Sequence, residues 1–196
     1  MGTPERIVAA ATESFGTGGY EATSLDAIAA DLGVRKQTIL YYHPSKAALL
    51  DAVIDRASAD LADVLEAAVA APGDAIDRVE RIVRSVFRLA LRRPELLGLL
   101  REVSRLGPPA ATRLSDNLQP LVDRARSFLE EEMAAGRLRQ TDARLLLLST
   151  YSTVVGVATE VEVLRAVGVE PTLRSTALRR RELVRFLRAA LEPERA

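Results

Sequence analysis

The sequence predicts an all-helical protein of 196 residues. Alanine, leucine, valine, arginine and glutamate dominate its composition, and most of these residue types favour helices. No segment alternates apolar and polar residues in the way that a half-buried β-strand does. Prolines and glycines instead divide the chain into segments of helical length. We therefore expect one or two small domains with a sizeable helical core.

Caps and breaks set the order of the helices. We expect Thr3 to cap the first helix, with Pro4 at the first helical position, and the helix to end at Phe15 before a glycine-rich connector over residues 16–19. Ser45 is placed to cap a longer helix. That helix and the later ones are predicted over residues 46–70, 75–92, 95–106, 110–136, 142–167 and 173–191. With two short helices between residues 23 and 43, there are about nine.

Charge and cysteine content argue against several classes of protein. Basic and acidic residues are equal in number, 27 each, so the chain is unsuited to coating nucleic acid indiscriminately. The absence of cysteine rules out disulfides and thiolate metal sites and fits a cytoplasmic protein. The most apolar run, residues 145–164, is interrupted by hydroxyls and glutamates, and the N-terminus has no signal-peptide pattern. We therefore expect a cytoplasmic protein with no membrane association.

Residues 23–46 have the pattern of a helix-turn-helix. Apolar residues recur at helical spacing from Leu25, and Thr23 with Asp26 matches a capping box at the start of this helix. Gly33 suits the left-handed position that ends it, and a second amphipathic helix follows. A helix-turn-helix places its second helix in the major groove of DNA.

The second helix carries side chains that bind phosphates or read base edges. No acidic residue occurs from Leu32 to Leu50, and both lysines of the chain lie in this window. A charge run usually marks a solvated helix surface, but its coincidence with the motif at about residues 24–43 favours a phosphate-facing patch. The expected DNA-binding residues are Thr23, Ser24, Arg35, Lys36, Gln37, Thr38, Tyr41, Tyr42 and Lys46.

These candidates divide by role. Gln37 and Thr38 are candidates for base readout, because the first turn of a recognition helix enters the groove. Arg35 and Lys36 either read guanine or hold the backbone, and the sequence does not separate these roles. Lys46 combines a point charge with the backbone N–H groups of a helix start, which suits a phosphate.

The N-terminal segment resembles the DNA-binding domain of the TetR (tetracycline repressor) family. The similarity covers about the first fifty residues at fixed spacing. Its residues are Ile7, Ala11, Phe15, Gly19, Tyr20, Thr23, Ser24, Ile28, Ala29, Leu32, Gly33, Val34, Tyr41, Tyr42, Pro44, Ser45, Lys46, Leu49 and Leu50. Three positions depart from the family pattern. Leu40 replaces a usual phosphate-contacting tyrosine, His43 a buried phenylalanine, and Arg35 a small hydroxyl that often caps the recognition helix.

The resemblance implies a three-helix DNA-binding domain over residues 1–46 and a helical ligand-binding and dimerisation domain over residues 47–196. It further implies a sequence-specific transcriptional regulator, most often a ligand-responsive repressor, that binds a near-palindromic operator as a homodimer. The family pattern also selects Tyr42 for a phosphate contact.

Residues 142–191 are the expected dimer interface. The run over residues 145–164 is apolar almost all round, so it should be buried on every face, which one small bundle rarely achieves alone. Small residues such as Gly156 and Ala158 allow another helix to approach closely. We expect a four-helix bundle across a two-fold axis; a helix covered within its own subunit is the alternative.

The C-terminal core offers a candidate site for a mainly apolar small effector. Such apolar faces are usually only core, and the resemblance is what favours a pocket. The candidates are Arg84, Phe87, Leu91, Leu99, Arg101, Asn117, Leu121, Phe128, Thr150, Tyr151 and Val155. We expect the helix over residues 46–70 to couple this site to DNA.

An enzyme has little support. The single histidine, His43, lies inside the DNA motif, so neither a catalytic triad nor a histidine metal site can be assembled. Three adjacent acids, Glu130, Glu131 and Glu132, fan around a helix instead of converging. We therefore predict no metal, no cofactor and no enzymatic activity. The alternatives are an effector-independent activator or architectural DNA-binding protein and, more remotely, a helical-bundle enzyme or scaffold with a vestigial DNA motif.

Overall fold

The computed structural model describes residues 2–70 and 72–193, and within them the chain forms ten α-helices and no strand. This confirms the predicted all-helical class. The helices are α1 Thr3–Gly18, α2 Leu25–Leu32, α3 Lys36–Tyr42, α4 Lys46–Ala70, α5 Ala75–Arg92, α6 Pro94–Leu106, α7 Ala110–Ala134, α8 Ala143–Thr159, α9 Val161–Ala166 and α10 Leu173–Leu191.

Two helices differ from the prediction by more than two residues. The prediction of a glycine-rich connector over residues 16–19 was wrong in part. Helix α1 continues to Gly18 and ends where Gly19 takes a φ of 83°. The helix predicted over residues 142–167 divides into α8 and α9 at Glu160, whose ψ of 80° is not helical. The sequence around Glu160 is rich in valine and threonine, whose branched side chains favour helices less than alanine or leucine.

Contacts divide the chain into two compact units. Unit 1 comprises Met1–Asp63 and Arg93–Gln119, and unit 2 comprises Val64–Arg92 and Pro120–Ala196. The helix-turn-helix therefore shares its unit with α6, a helix far away in sequence. The boundary expected near residue 46 remains a prediction about independent domains.

Unit 1 is held together by a close crossing of α1 and α6. A Cβ built on Gly16 would lie 2.0 Å from the backbone oxygen of Glu95, and one on Gly98 would lie 2.2 Å from the backbone oxygen of Gly16. Only glycine fits at these two positions without moving a helix, since real Cβ atoms do not approach so closely. Around this crossing the core includes Ile7, Phe15, Leu96, Leu99 and Val103.

Unit 2 is built around α5, α8 and α10, which pack against one another. Val83 and Phe87 from α5, Val154 from α8, and Leu183 and Leu187 from α10 form one buried cluster. A second cluster contains Ala75, Leu129, Met133, Leu138, Ala143 and Leu191. In the described parts of the chain, no helix combines the length and the apolar character that crossing a membrane requires.

Candidate nucleic-acid interface

The turn between α2 and α3 has the geometry predicted from the sequence. Gly33 adopts the left-handed conformation, with φ 67° and ψ 31°, and the N–H of Val34 donates to the backbone oxygen of Ala29 at 2.9 Å. This pattern is a common way to end a helix at glycine. The turn therefore aims α3 away from α2 without backbone strain.

The cap of α2 corrects one detail of the prediction. The N-cap is Ser24, whose Oγ accepts a hydrogen bond from the N–H of Ala27 at 3.1 Å, and not Thr23. Thr23 does not cap α2, because its hydroxyl binds backbone oxygens of α1 and of the residue that follows α1. Its Oγ1 donates towards the backbone oxygens of Gly19, at 2.8 Å, and Ser14, at 3.2 Å.

This difference matters for phosphate binding, because a hydroxyl has only one hydrogen to donate. Thr23 uses its hydrogen on the backbone of the α1–α2 connection. Ser24 is exposed and only accepts in its cap, so its hydrogen stays available to a phosphate oxygen. Of the two predicted hydroxyls, Ser24 is the better suited to contact DNA.

Helix α3 buries an apolar residue in the core of its unit and exposes a polar face to solvent. Ile39 is fully buried, whereas Arg35 and Gln37 are exposed, and Thr38 is half-buried. Tyr41 is 80% exposed and Tyr42 41% exposed. The two tyrosine rings pack edge to face, with centroids 5.0 Å apart. Both tyrosines are therefore accessible, and Tyr41 more so than the residue that the family pattern selects.

The positive charge of Lys36 is partly neutralised by a carboxylate on α2. Its Nζ lies 2.8 Å from Oδ2 of Asp26, and both side chains are substantially exposed. An exposed pair of this kind contributes only about 0.2–1 kcal/mol, so a phosphate can compete with it.

Lys46 is held against the α1–α2 connection. Its Nζ lies 4.2 Å from the centroid of the Tyr20 ring and 3.4 Å from the backbone oxygen of Glu21. Burial raises the pKa of Tyr20 above its usual value, and the charges of Glu21 and Asp51 raise it further. The phenol therefore stays neutral, and the face of its ring holds the Lys46 side chain through a cation–π contact.

Leu40 and His43, two residues that depart from the TetR family pattern, lie at the C-terminal end of α3. Leu40 is half-buried. His43 caps the C-terminus of α3 through its backbone N–H, which donates to the oxygen of Ile39 at 2.8 Å. Its Nε2 is buried without a hydrogen-bond partner, and burial lowers the pKa of its imidazole. Arg35 precedes α3 without making a side-chain cap.

Sequence reasoning missed the contribution of α6. Glu102 Oε1 accepts the backbone N–H of Tyr20 at 2.8 Å, and its carboxylate also pairs with Arg105. The hydrogen bonds from Arg105 chiefly, together with the Tyr20 N–H, lower the pKa of Glu102. This carboxylate fixes the end of α1 beside the helix-turn-helix. The sequence feature that indicated a close contact of α6 with another helix was Gly98, a glycine inside a predicted helix.

The predicted effector residues are distributed over both units. Leu99, Arg101 and Asn117 belong to unit 1, where Leu99 is buried and the Asn117 amide donates to Asp55 at 2.9 Å. In unit 2, Phe87 and Phe128 pack with two different core clusters. The others of that unit are Arg84, Leu91 and Tyr151, all exposed, and Leu121, Thr150 and Val155, all half-buried. Their assignment to one pocket stays a prediction.

A family model for bacterial regulatory proteins of the tetR family matches residues 7–53. This range covers α1, α2, α3 and the start of α4, the elements that carry the geometry above. Over residues 7–53, the chain is therefore similar to the DNA-binding part of tetR-family regulators. Regulators of this family are transcription factors and not enzymes, in line with the expectation from the sequence. Among curated proteins, none matches the sequence.

Solved structures extend the likeness over the whole chain. A TetR transcriptional regulator from Chloroflexus aurantiacus superimposes with a TM-score of 0.79 at 22% identity, covering 97% of this chain and 96% of that one. A candidate transcriptional regulator from Saccharomonospora viridis, solved with choline, gives 0.80 at 22% identity, with 98% of both chains covered. FadR from Bacillus subtilis, solved with stearoyl-CoA, gives 0.79 at 18% identity, covering 95% and 98%. At these identities, the likeness is one of fold.

Proposed function

We propose that this chain is a TetR-family regulator, a ligand-responsive repressor that binds a near-palindromic operator as a homodimer. The observation that carries the proposal is α3, a helix of seven residues that presents Gln37 and Tyr41 to solvent from the buried anchor Ile39. An α-helix with its side chains is about 10–12 Å across, which matches a major groove about 12 Å wide.

The side chains predicted to contact DNA divide into two groups in this proposal. Gln37 and Thr38 read base edges from the first turn of α3, where recognition helices make most base contacts. Ser24, Tyr42 and Lys46 bind phosphates, which fixes the register of the protein on the duplex. Thr23 and Tyr41 were also predicted as contacts; the hydroxyl of Thr23 is already engaged, whereas Tyr41 is free to reach the backbone.

The dimer is supported by apolar side chains that a single chain leaves in water. Leu145, Leu148 and Tyr151 of α8 are each about three-fifths exposed and follow one another at intervals of three residues. On α10, Phe186 is 60% exposed. A contiguous apolar stripe of this kind is typical of a surface that packs against a partner. Gly156 lies on α8 too, and a Cβ built there would meet no atom within 4 Å.

Sedimentation tests the dimer with a matched pair of substitutions. We expect the unmodified chain to be a dimer at micromolar concentration and Leu148→Asp to be a monomer, because the dimer would bury an unpaired carboxylate. Val122→Asp is the control, since Val122 is an exposed apolar residue on α7, outside residues 142–191. A monomeric unmodified chain, or equal effects of both substitutions, would refute the proposed interface.

The effector is the least constrained part of the proposal. The two relatives solved with choline and with stearoyl-CoA hold chemically different molecules, so each chain's own pocket selects its ligand. For this chain we propose a mainly apolar molecule bound within residues 84–155. The signal reaches DNA through α4, which begins next to α3 and contributes residues to both units.

Linkage provides the test of regulation. If an effector weakens operator binding by some factor, then the operator must weaken effector binding by the same factor. Calorimetry of effector binding, with and without operator duplex, measures this factor directly. Identical affinities in the two titrations would mean that the molecule binds without regulating.

Hydroxyl-radical footprinting tests the operator geometry. Genomic fragments recovered with the purified protein should show two protected patches whose centres are about 10–10.5 base pairs apart, or a multiple of that spacing. A single patch, or uniform weak protection, would contradict two recognition helices held by one dimer.

A further inference from the structure

Unit 2 contains a groove whose lining is unusually rich in arginine. The groove has a volume of about 1040 Å³ and lies between α5, α10 and the connection that precedes α10. Six arginines line it against only two glutamates, Glu80 and Glu170. The arginines are Arg84, Arg174, Arg180, Arg181, Arg185 and Arg188. The volume is at the upper end of the range of small-molecule sites, about 300–1000 Å³.

Three of these arginines form a stripe along α10. Arg174, Arg181 and Arg188 follow one another at intervals of seven residues, which is close to two helical turns, so they share one face and rise about 10 Å per step. The buried face of the same helix carries Leu183 and Leu187 instead. The arginine face is therefore separate from the face that packs into the core.

Two arginines from different helices meet at one carboxylate. Arg84 Nη2 of α5 lies 3.7 Å from Glu80 Oε2, and Arg188 Nη2 of α10 lies 2.5 Å from Glu80 Oε1. One negative charge thus holds two guanidinium groups together inside the groove. Arg181 and Arg185 likewise share Glu182.

This arrangement leaves an excess of positive charge in a concave surface. Guanidinium groups gathered around too few carboxylates repel one another, and a bound anion would relieve that repulsion. Arginine is also the side chain whose planar fork best matches phosphate oxygens, through two parallel hydrogen bonds. A phosphate-bearing ligand satisfies both conditions.

The remaining lining indicates a ligand with an organic part. Val169, Ala177, Leu178 and Val184 give the groove an apolar wall beside the arginines. A simple inorganic anion would leave this wall in water, whereas an organic body would cover it. The concave shape and the volume fit a small molecule better than the convex surface of a duplex.

We propose that this groove binds a small organic molecule that carries two or more linked phosphate groups, of the nucleoside diphosphate class. The phosphates lie on the stripe of Arg174, Arg181 and Arg188 with Arg84, and the organic body lies on the apolar wall. The proposal does not depend on operator binding, because no residue of the helix-turn-helix takes part. It is also compatible with the proposed dimer, because Arg181 and Arg188 lie about 140–160° around α10 from Phe186 at 3.6 residues per turn.

Calorimetry at constant ionic strength tests the proposal with inorganic pyrophosphate, ADP and adenosine as probes. We expect pyrophosphate and ADP to bind with a stoichiometry of about one per chain, and adenosine to bind far more weakly than either. Tighter binding of ADP than of pyrophosphate assigns the organic body to the apolar wall, and equal binding assigns the groove to the phosphates alone. No saturable binding of either anion would overturn the proposal.

Matched arginine substitutions locate the site. Arg174→Gln with Arg181→Gln should lower the affinity for pyrophosphate by about tenfold or more, which corresponds to about 1.4 kcal/mol. Both side chains are exposed, so the fold should tolerate the change. Arg126→Gln with Arg165→Gln removes the same charge outside the groove, from exposed residues that pair with acids on their own helices. Equal losses in both double variants would mean unspecific attraction and would refute the site.

Discussion

Gly16 of α1 and Gly98 of α6 lie in direct backbone contact, so close that a Cβ on Gly98 would sit 2.2 Å from the oxygen of Gly16. This contact joins the helix that precedes the DNA-binding motif to a helix about eighty residues further along the chain. The two glycines therefore determine how closely α1 and α6 pack. The first prediction follows from their geometry.

Gly98→Ala should lower the free energy of unfolding by about 1–3 kcal/mol, because the methyl group has no room and the helices must separate. Thermal denaturation followed by circular dichroism measures the effect. Gly18→Ala is the matched control: it is also a helical glycine, but its Cβ would meet only Oγ1 of Thr23, at an ordinary contact distance of 3.6 Å. The control should be neutral or stabilise by up to about 1 kcal/mol through helix propensity. A tolerated Gly98→Ala would contradict the close crossing.

The second prediction separates the two hydroxyls at the start of α2. Ser24→Gly should weaken binding to related and unrelated duplexes alike, since it removes a phosphate donor while glycine remains an acceptable N-cap. Thr23→Val should instead lower stability by about 1 kcal/mol, because it deletes hydrogen bonds to backbone oxygens. Fluorescence anisotropy and thermal denaturation on both variants decide the question. The reverse pattern would exchange the two roles.

The third prediction concerns the carboxylate beside Lys36. Asp26→Asn should strengthen binding to any duplex, because it removes a negative charge and releases Lys36 from its 2.8 Å pair. The dependence of affinity on salt should steepen by about one unit of slope if Lys36 then contacts a phosphate. Asp31→Asn, another acidic residue of α2, is the control. Weaker binding by Asp26→Asn would contradict this prediction and would mean that DNA binding requires the Asp26 carboxylate.

The fourth prediction is a pH dependence that comes from Glu102. Its folded-state pKa lies below the ordinary value of about 4.5, so the ionised form is stabilised by folding. That contribution is fully present above pH 4.5 and is lost as the pH falls through the lower folded-state pKa. The stability difference between the unmodified chain and Glu102→Gln should therefore shrink on acidification below pH 4.5. Urea titrations at pH 7 and pH 4 measure it, with the exposed Glu13→Gln as control. A difference that grows on acidification would reverse the sign and exclude this cause.

Local features of the fold were predictable because they depend on neighbouring residues. Ser45 caps α4 as expected, with its Oγ accepting the N–H of Ala48 at 3.0 Å, and α4 spans Lys46–Ala70 as predicted. Gly33 takes the left-handed conformation that its position suggested. The cap of α2 was displaced by one residue, since both serine and threonine can cap a helix and the tertiary contacts of Thr23 engage its hydroxyl elsewhere.

The long-range features could not be predicted in the same way. The bond from the Tyr20 N–H to Glu102 spans 82 residues, and the arginine groove combines residues from positions 80 to 188. Helical periodicity indicates which face of a helix is apolar, but not which helix will cover it. The arginines of α10 were visible in the sequence, yet only the fold brings Arg84 of α5 and Arg188 to the same carboxylate.

The central claim is that two copies of α3 read a two-fold symmetric operator. Selection of bound sequences from a random duplex pool tests it most directly, because the experiment assumes no operator. We expect the recovered sequences to share an inverted repeat whose half-sites lie about one helical turn, or a multiple of it, apart. Repeating the selection with Gln37→Ala should relax the preference at one position in each half-site. A pool that yields no inverted repeat, or the same repeat without any change for Gln37→Ala, would contradict base readout by a dimer through α3.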